Sequence, residues 1–126
     1  GMGRLEELVA QHCGVDIHVA HGYVLQNYNN VLSSDYAVDF YRRLSVEVMK
    51  AVNFFNYNNR QKELTDLCLC SGGCNILPLR QTLADTTHLR IRTAQELLGD
   101  EVAIEEPWMY LRAIGSVNEG IIGGLQ

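Results

Sequence analysis

A stretch in the second half of the chain constrains the fold most, because strand, turn, helix and strand signals follow one another there. Residues 64–70 form a short run rich in Leu and Cys, which predicts a buried strand that ends at Gly72 and Gly73. Pro78 suits the first turn of the next helix, since proline lacks an N–H donor and fixes φ. Residues 88–93 then alternate apolar and arginine side chains, as in a strand with one buried and one solvent-exposed face. Such a unit favours a parallel strand pair, so the sequence predicts an α/β fold.

Three helices are predicted before this unit, over residues 5–13, 15–27 and 34–57. The longest of them begins with a cap at Ser33 or Ser34 and carries an apolar stripe along one side. We therefore expect this helix to be a core element.

The chain after the second strand is predicted as an acidic connector followed by a last helix. The connector covers residues 99–106, and the helix begins at Pro107 with Trp108, Leu111 and Ile114 on one side. Only two strands are predicted in this way, and a two-stranded sheet is marginal by itself. We infer that the chain is part of a longer protein.

Composition and charge exclude two classes of partner. The chain has 126 residues, with 10 Lys+Arg against 15 Asp+Glu, and its formal net charge is −5. Only Lys50 and Lys62 are lysines, so a nucleic-acid surface and a basic membrane patch, which need clustered cations, are not expected. No apolar run approaches the roughly 20 residues of a membrane span, and residues 1–14 lack a secretory signal pattern. We expect a cytoplasmic protein without direct membrane insertion.

Cysteine and histidine side chains are the candidate metal ligands. Cys68, Cys70 and Cys74 lie close in sequence, but their spacing is not that of paired zinc knuckles. Along a strand Cys68 and Cys70 share one face, as small buried residues do, so we interpret the cysteines as reduced core thiols. A metal or redox site is the alternative interpretation. His18 and His21 would share a helix face, either as a ligand pair or, as we favour, as a polar surface.

Two identical tetrapeptides, at residues 27–30 and 56–59, read Asn-Tyr-Asn-Asn, and each follows a predicted helix. Asparagine tolerates the left-handed backbone conformation that closes many helices. We therefore predict that both tetrapeptides are helix stops.

The turn at residues 71–75 is the candidate ligand site that remains. Two adjacent glycines let the backbone approach a flat ligand closely, and the helix that follows offers unpaired N–H donors. A tight strand-to-helix turn also uses glycine for steric reasons alone. Both interpretations stay open at this point.

Residues 67–79 read Leu-Cys-Leu-Cys-Ser-Gly-Gly-Cys-Asn-Ile-Leu-Pro-Leu, and this segment resembles the adenosine motif of the PilM/FtsA-like family of actin-like ATPases, most closely its type IV pilus assembly members. In that family an apolar strand runs into Ser/Thr-Gly-Gly, and small-Asn-Ile-x-x-Leu then opens a helix. Residues 47–55 resemble the helix before this strand, and residues 113–117 resemble the helix called connect 2. The similarity covers about residues 15–118 in the family's order.

The resemblance implies that residues 1–126 are the C-terminal subdomains IIB and IIA of a partial actin-like, ribonuclease H-like ATPase fold, with helices packed on a small sheet. It also implies a nucleotide site in the intact parent, with ATP and magnesium as its cofactors. The residues that would contact the nucleotide there are Ser71, Gly72, Gly73 and Asn75, with the glycines against the adenine or ribose.

The chain departs from the family pattern at two places. No Asp is followed two positions later by Gly, so the turns that hold phosphate in the family are missing. Residues 20–24 read Ala-His-Gly-Tyr-Val, where the family has an Ala-Glu-x-x-Lys-like stretch at the adenine pocket. We therefore expect the isolated chain to need no cofactor and to have no ATPase activity by itself, whereas the parent is a candidate ATPase.

Two functions follow as hypotheses. The chain is either the C-terminal part of an actin-fold protein that assembles a type IV pilus or competence machine, or a non-catalytic protein-interaction module with a degenerate nucleotide site. The expected partners are the remaining lobe of the parent, pilus or membrane-complex proteins at the inner face of the cytoplasmic membrane, and a second copy of the chain. The second copy is expected because a truncated sheet has an open edge.

Overall fold

The computed structural model describes residues 2–69, 76–93, 100–103 and 109–115, and it shows a mixed α/β fold. Four helices, a 3-10 segment and four strands follow one another in these residues. They are α1 (Met2–Cys13), α2 (Ile17–Gln26), the 3-10 segment Tyr28–Ser33, α3 (Asp35–Asn58), β1 (Lys62–Leu69), α4 (Leu77–Thr87), β2 (Arg90–Thr93), β3 (Asp100–Ala103) and β4 (Met109–Gly115).

Side-chain caps start two of the helices. The Asp16 carboxylate accepts a hydrogen bond of 2.8 Å from the backbone N–H of His18 at the start of α2. Ser34, one of the two predicted serines, accepts one of 3.4 Å from the N–H of Ala37 at the start of α3. Both bonds satisfy N–H groups that have no acceptor inside the helix.

The two asparagine tetrapeptides end their helices in different ways. Asn27 closes α2 in the left-handed conformation, as predicted, and Asn29 and Asn30 adopt it too. Asn59, which follows α3, has φ of −135° and is not left-handed. There the side-chain amides of Asn58 and Asn59 donate to the carbonyls of the last turn instead, at 2.8 and 3.1 Å.

The four strands form one sheet in the order β2-β1-β4-β3. β1 and β2 are parallel, with Asp66 opposite Arg90 and Leu67 opposite Ile91, so the parallel pair predicted from the sequence is confirmed. β4 runs antiparallel to both β1 and β3. The connection between β1 and β2 contains α4, whose buried Leu79 and Leu83 belong to the same core as the apolar side chains of α3.

The prediction of a last helix starting at Pro107 is wrong for residues 109–115, which form β4. Leu111 lies opposite Leu67, and both side chains are fully buried. The stretch likened to the connect 2 helix starts at Ala113, which is buried in the same strand. The predicted acidic connector contains β3, so the described residues hold four strands rather than two. Pairing with β1 outweighs the helical spacing of the apolar residues in β4.

The core lies between the sheet and the helices, and α3 contributes more buried residues to it than any other described helix. Tyr41 is buried in α3, and its hydroxyl donates a hydrogen bond of 2.8 Å to the carbonyl of Leu32. β1 supplies Leu67 and Leu69, and α4 supplies Leu79 and Leu83, all without measurable exposure. None of the described helices combines the length and the apolarity that crossing a membrane requires.

Candidate functional site

The predicted ligand turn connects the carboxyl end of β1 to the start of α4. Its candidate residues Ser71, Gly72, Gly73 and Asn75 lie outside the described residues, and only the two ends of the turn, Leu69 and Ile76, are described. In α/β sheets, ligands bind beyond the carboxyl ends of parallel strands. Leu69, which precedes the turn, ends β1 at the edge of the sheet where a ligand site is expected.

The first turn of α4 leaves backbone donors at the same edge. Ile76, at the N-cap, has no side-chain acceptor, and the first intrahelical bond is donated by the N–H of Arg80 to the carbonyl of Ile76. The N–H groups of Leu77 and Leu79 consequently have no acceptor within the helix, and Pro78 has no N–H. Such a helix start is suited to an anionic or hydrogen-bonding ligand.

A buried carboxylate lies further back in β1. Asp66 is fully buried, and its two carboxylate oxygens face arginines of β2. The Arg92 Nε lies 2.8 Å from Oδ2, and an Arg90 guanidinium nitrogen lies 3.6 Å from Oδ1. Arg112 is the register partner of Asp66 on the other neighbouring strand, β4. Asp66 therefore links β1 to β2 by ionic contacts, in addition to the backbone hydrogen bonds between the two strands.

The surroundings of Asp66 decide its protonation. Burial raises the pKa of the Asp66 carboxyl, but the hydrogen bond from Thr65 and the charges of Arg90 and Arg92 together hold that pKa below its usual value. An acid with a lowered pKa stays ionised near neutral pH and is a poor general base or general acid. Asp66 therefore acts as a structural anchor for the arginines rather than as a proton-transfer group.

The part of α2 where the resemblance would put an adenine pocket makes other contacts. Ala20 and Val24 are buried in the core. The imidazole Nδ1 of His21 is hydrogen-bonded to the Glu6 carboxylate of α1. These residues fix α2 against α1, so this helix offers no acid or amine to a nucleotide.

The other candidate ligands are scattered over the described part of the chain. Cys68 is buried in β1, as predicted, whereas Cys13 lies exposed at the end of α1, with Sγ 3.7 Å from the hydroxyl of Tyr36. Cys70 and Cys74 lie outside the described residues. Among the residues that are described, no three His, Cys, Asp or Glu side chains lie together as a metal site would require.

Comparisons of the chain with protein families, with curated proteins and with solved structures found no match.

Sequence reasoning overlooked the cluster of Asp66 with Arg90 and Arg92. The alternation of residues 88–93 predicted that both arginines lie on a solvent-exposed face of the second strand, and Arg90 is indeed largely exposed. A charged residue inside the apolar run of β1 is the signal that could have found the cluster, because a buried acid requires a cation close by.

Proposed function

We propose that the chain is the C-terminal part of an actin-like protein that takes part in the assembly of a type IV pilus or competence machine. In the intact parent, residues 70–75 form one wall of an adenine-nucleotide site for ATP with magnesium. The remaining lobe of the parent supplies the phosphate-binding turns. The protein works in the cytoplasm, at the inner face of the cytoplasmic membrane, through its protein partners.

One observation supports this proposal above the others. The turn with the Ser-Gly-Gly-Cys-Asn sequence joins the carboxyl end of β1, which is paired in parallel with β2, to the start of α4, where the N-cap residue Ile76 makes no side-chain cap bond. Nucleotides approach α/β sheets at such a position, because backbone donors and the helix dipole point toward the ligand there. Glycines in the turn let the backbone lie close to the adenine or ribose.

Calorimetric titration of the parent protein with ATP and magnesium tests the proposal. We expect Gly73→Ala to weaken ATP binding about tenfold, because a Cβ keeps the base from the backbone. Gly3→Ala is the matched control, since an added Cβ on α1 meets nothing within 4 Å and should leave ATP binding unchanged. Equal binding by both variants would show that the glycines of the turn serve only its backbone geometry.

The isolated chain should not hydrolyse ATP. It has no Asp-x-Gly turn, and phosphoryl transfer needs metal-bound phosphates held and oriented by such groups. Phosphate release from ATP in the presence of the purified chain should equal the rate without protein. Sustained release above that rate, abolished by Gly73→Ala but not by Gly3→Ala, would contradict this expectation.

A second candidate function is a protein-interaction module without nucleotide. The contacts of α2 favour it, because Val24 is buried and His21 is bound to Glu6 where the family has its adenine-binding acid and lysine. A parent protein that binds its pilus partners but shows no heat of ATP binding would support this alternative over the first.

A further inference from the structure

A groove between α1 and α3 is a feature of the described residues that the proposed function does not use. It has a volume of about 340 Å³. Its floor is apolar and consists of Leu8 from α1 with Phe40 and Leu44 from α3. Pockets of this size with an apolar lining and a few polar groups are typical of small-molecule sites.

The lining residues of the groove follow both helices, and two stacked rings stand at one end of the series. Arg4, Leu8 and His12 line it from α1 at successive turns, which spans about 12 Å at 1.5 Å per residue. The His12 ring stacks on the ring of Tyr36 from α3, with centroids 4.1 Å apart and planes 5° from parallel. A linear apolar chain fits this shape better than a compact ligand does.

The charges along the groove select an anion. Its two acids already have cationic partners, because Asp39 is 2.8 Å from the Arg43 Nε and Glu47 is 3.2 Å from the Lys50 Nζ. Arg4 lines the same groove and forms no ion pair with any residue that the structure describes. Once Lys50, which pairs with Glu47 from outside the groove, is counted, Arg4 is the lining cation that is left for an anionic ligand, at the end away from the ring pair.

We propose that this groove binds a medium-chain aliphatic carboxylate. Its carboxylate lies beside Arg4, and its chain runs along Leu8, Phe40 and Leu44 toward the ring pair of His12 and Tyr36. An arginine–carboxylate bond gives the ligand its direction, and burial of methylene groups gives most of its affinity. Its lining residues come from α1 and α3 alone, so the proposal does not depend on nucleotide binding.

Titration with decanoate, followed by amide chemical shifts of the purified chain, tests the proposal at decanoate concentrations below micelle formation. We expect saturable shifts at Leu8, Phe40 and Leu44, and at least tenfold weaker binding of decylammonium, whose charge has the same sign as that of Arg4. Arg4→Gln should weaken decanoate binding about tenfold, because a charge-assisted hydrogen bond is lost.

Arg42→Gln is the matched control, since Arg42 is exposed on α3 and does not line the groove. It should leave decanoate binding unchanged. Circular dichroism of Arg4→Gln and Arg42→Gln checks that both variants fold. Three results would overturn the proposal: equal decanoate affinity of the two variants, shifts that do not saturate, or shifts centred on the exposed rings of Phe54 and Tyr57.

Discussion

Asp66 is a charged side chain in the interior of a small fold, and its neighbours make this arrangement possible. Removing a carboxylate from water costs several kcal/mol unless cations and hydrogen bonds compensate. Arg92 approaches to 2.8 Å from β2, and Arg90, although 69% exposed, lies 3.6 Å away. Because both arginines come from one strand, the acid favours a single register between β1 and β2.

Asp66→Asn should lower the free energy of unfolding by about 2 kcal/mol, because the arginines lose their ionic partner. Urea denaturation measures this difference. Asp39→Asn removes an exposed acid from a surface pair with Arg43 and should change stability by less than about 0.5 kcal/mol. Similar small losses in both variants would show that the buried pair contributes no more than a surface pair.

The contribution of Asp66 should depend on pH in one direction. The pKa of Asp66 is lower in the folded chain than in the unfolded chain, so the stabilisation is fully present above the unfolded pKa. It is lost as pH falls through the lowered folded pKa. The difference in unfolding free energy between wild type and Asp66→Asn should therefore be constant near neutral pH and shrink below about pH 4. A difference that grows on acidification would have the wrong sign.

Tyr41 is a second buried polar residue with one specific bond. Burial raises the pKa of Tyr41 to about 12, so its hydroxyl remains a donor to the Leu32 carbonyl at neutral pH. Tyr41→Phe should destabilise the chain by about 1 kcal/mol, because the carbonyl loses that donor. Tyr57→Phe is the control at a 75% exposed position, and it should leave the thermal midpoint unchanged. An equal fall in both variants would contradict the role of the bond.

Among the elements, α3 depends on how its first turn is capped. The Ser34 hydroxyl accepts from the N–H of Ala37 and also donates to the Val31 carbonyl at 2.6 Å, which joins the 3-10 segment to the helix. Ser34→Ala should therefore lower stability by about 1 kcal/mol. Ser33→Ala, at the exposed neighbouring serine, should have no comparable effect in thermal unfolding. A larger loss at Ser33 would show that the cap is assigned to the wrong serine.

The helices and the parallel strand pair could be predicted from the sequence, whereas the end of the sheet could not. Residues 35–58 repeat apolar side chains at helical spacing, and this local signal agrees with the packing. In β4, Leu111 and Ala113 alternate in the way of a strand, but Leu111 and Ile114 are also spaced three apart like a helix. Pairing with β1 decides between the two patterns, and no local window contains that information.

The candidate site could be predicted only as a position in the chain. Glycines between a strand and a helix locate the turn, and the parallel pairing of β1 with β2 agrees with that location. The neighbours of Asp66 could not be inferred, because Arg90 and Arg92 are distant from it in sequence. They contact Asp66 only when β2 pairs with β1. Contacts of this kind depend on register, which sequence spacing does not specify.

At the scale of the molecule, the order of the four described strands leaves β2 and β3 outermost. Outer strands present backbone donors and acceptors to any partner strand. We expect the chain to form a dimer through such an edge, with a molar mass that rises with concentration in light scattering. A constant monomer mass up to the highest concentration reached would contradict this expectation.

The antiparallel pairing of β1 with β4 also affects the order in which a newly made chain can fold. α1, α2 and α3 contact one another through residues that leave the ribosome early, and β1 follows them directly. Leu67 meets Leu111 only after the far end of the sheet has been synthesised. During that interval the nascent chain presents an apolar strand with one unpaired side, which is the kind of segment that chaperones at the ribosome protect from aggregation.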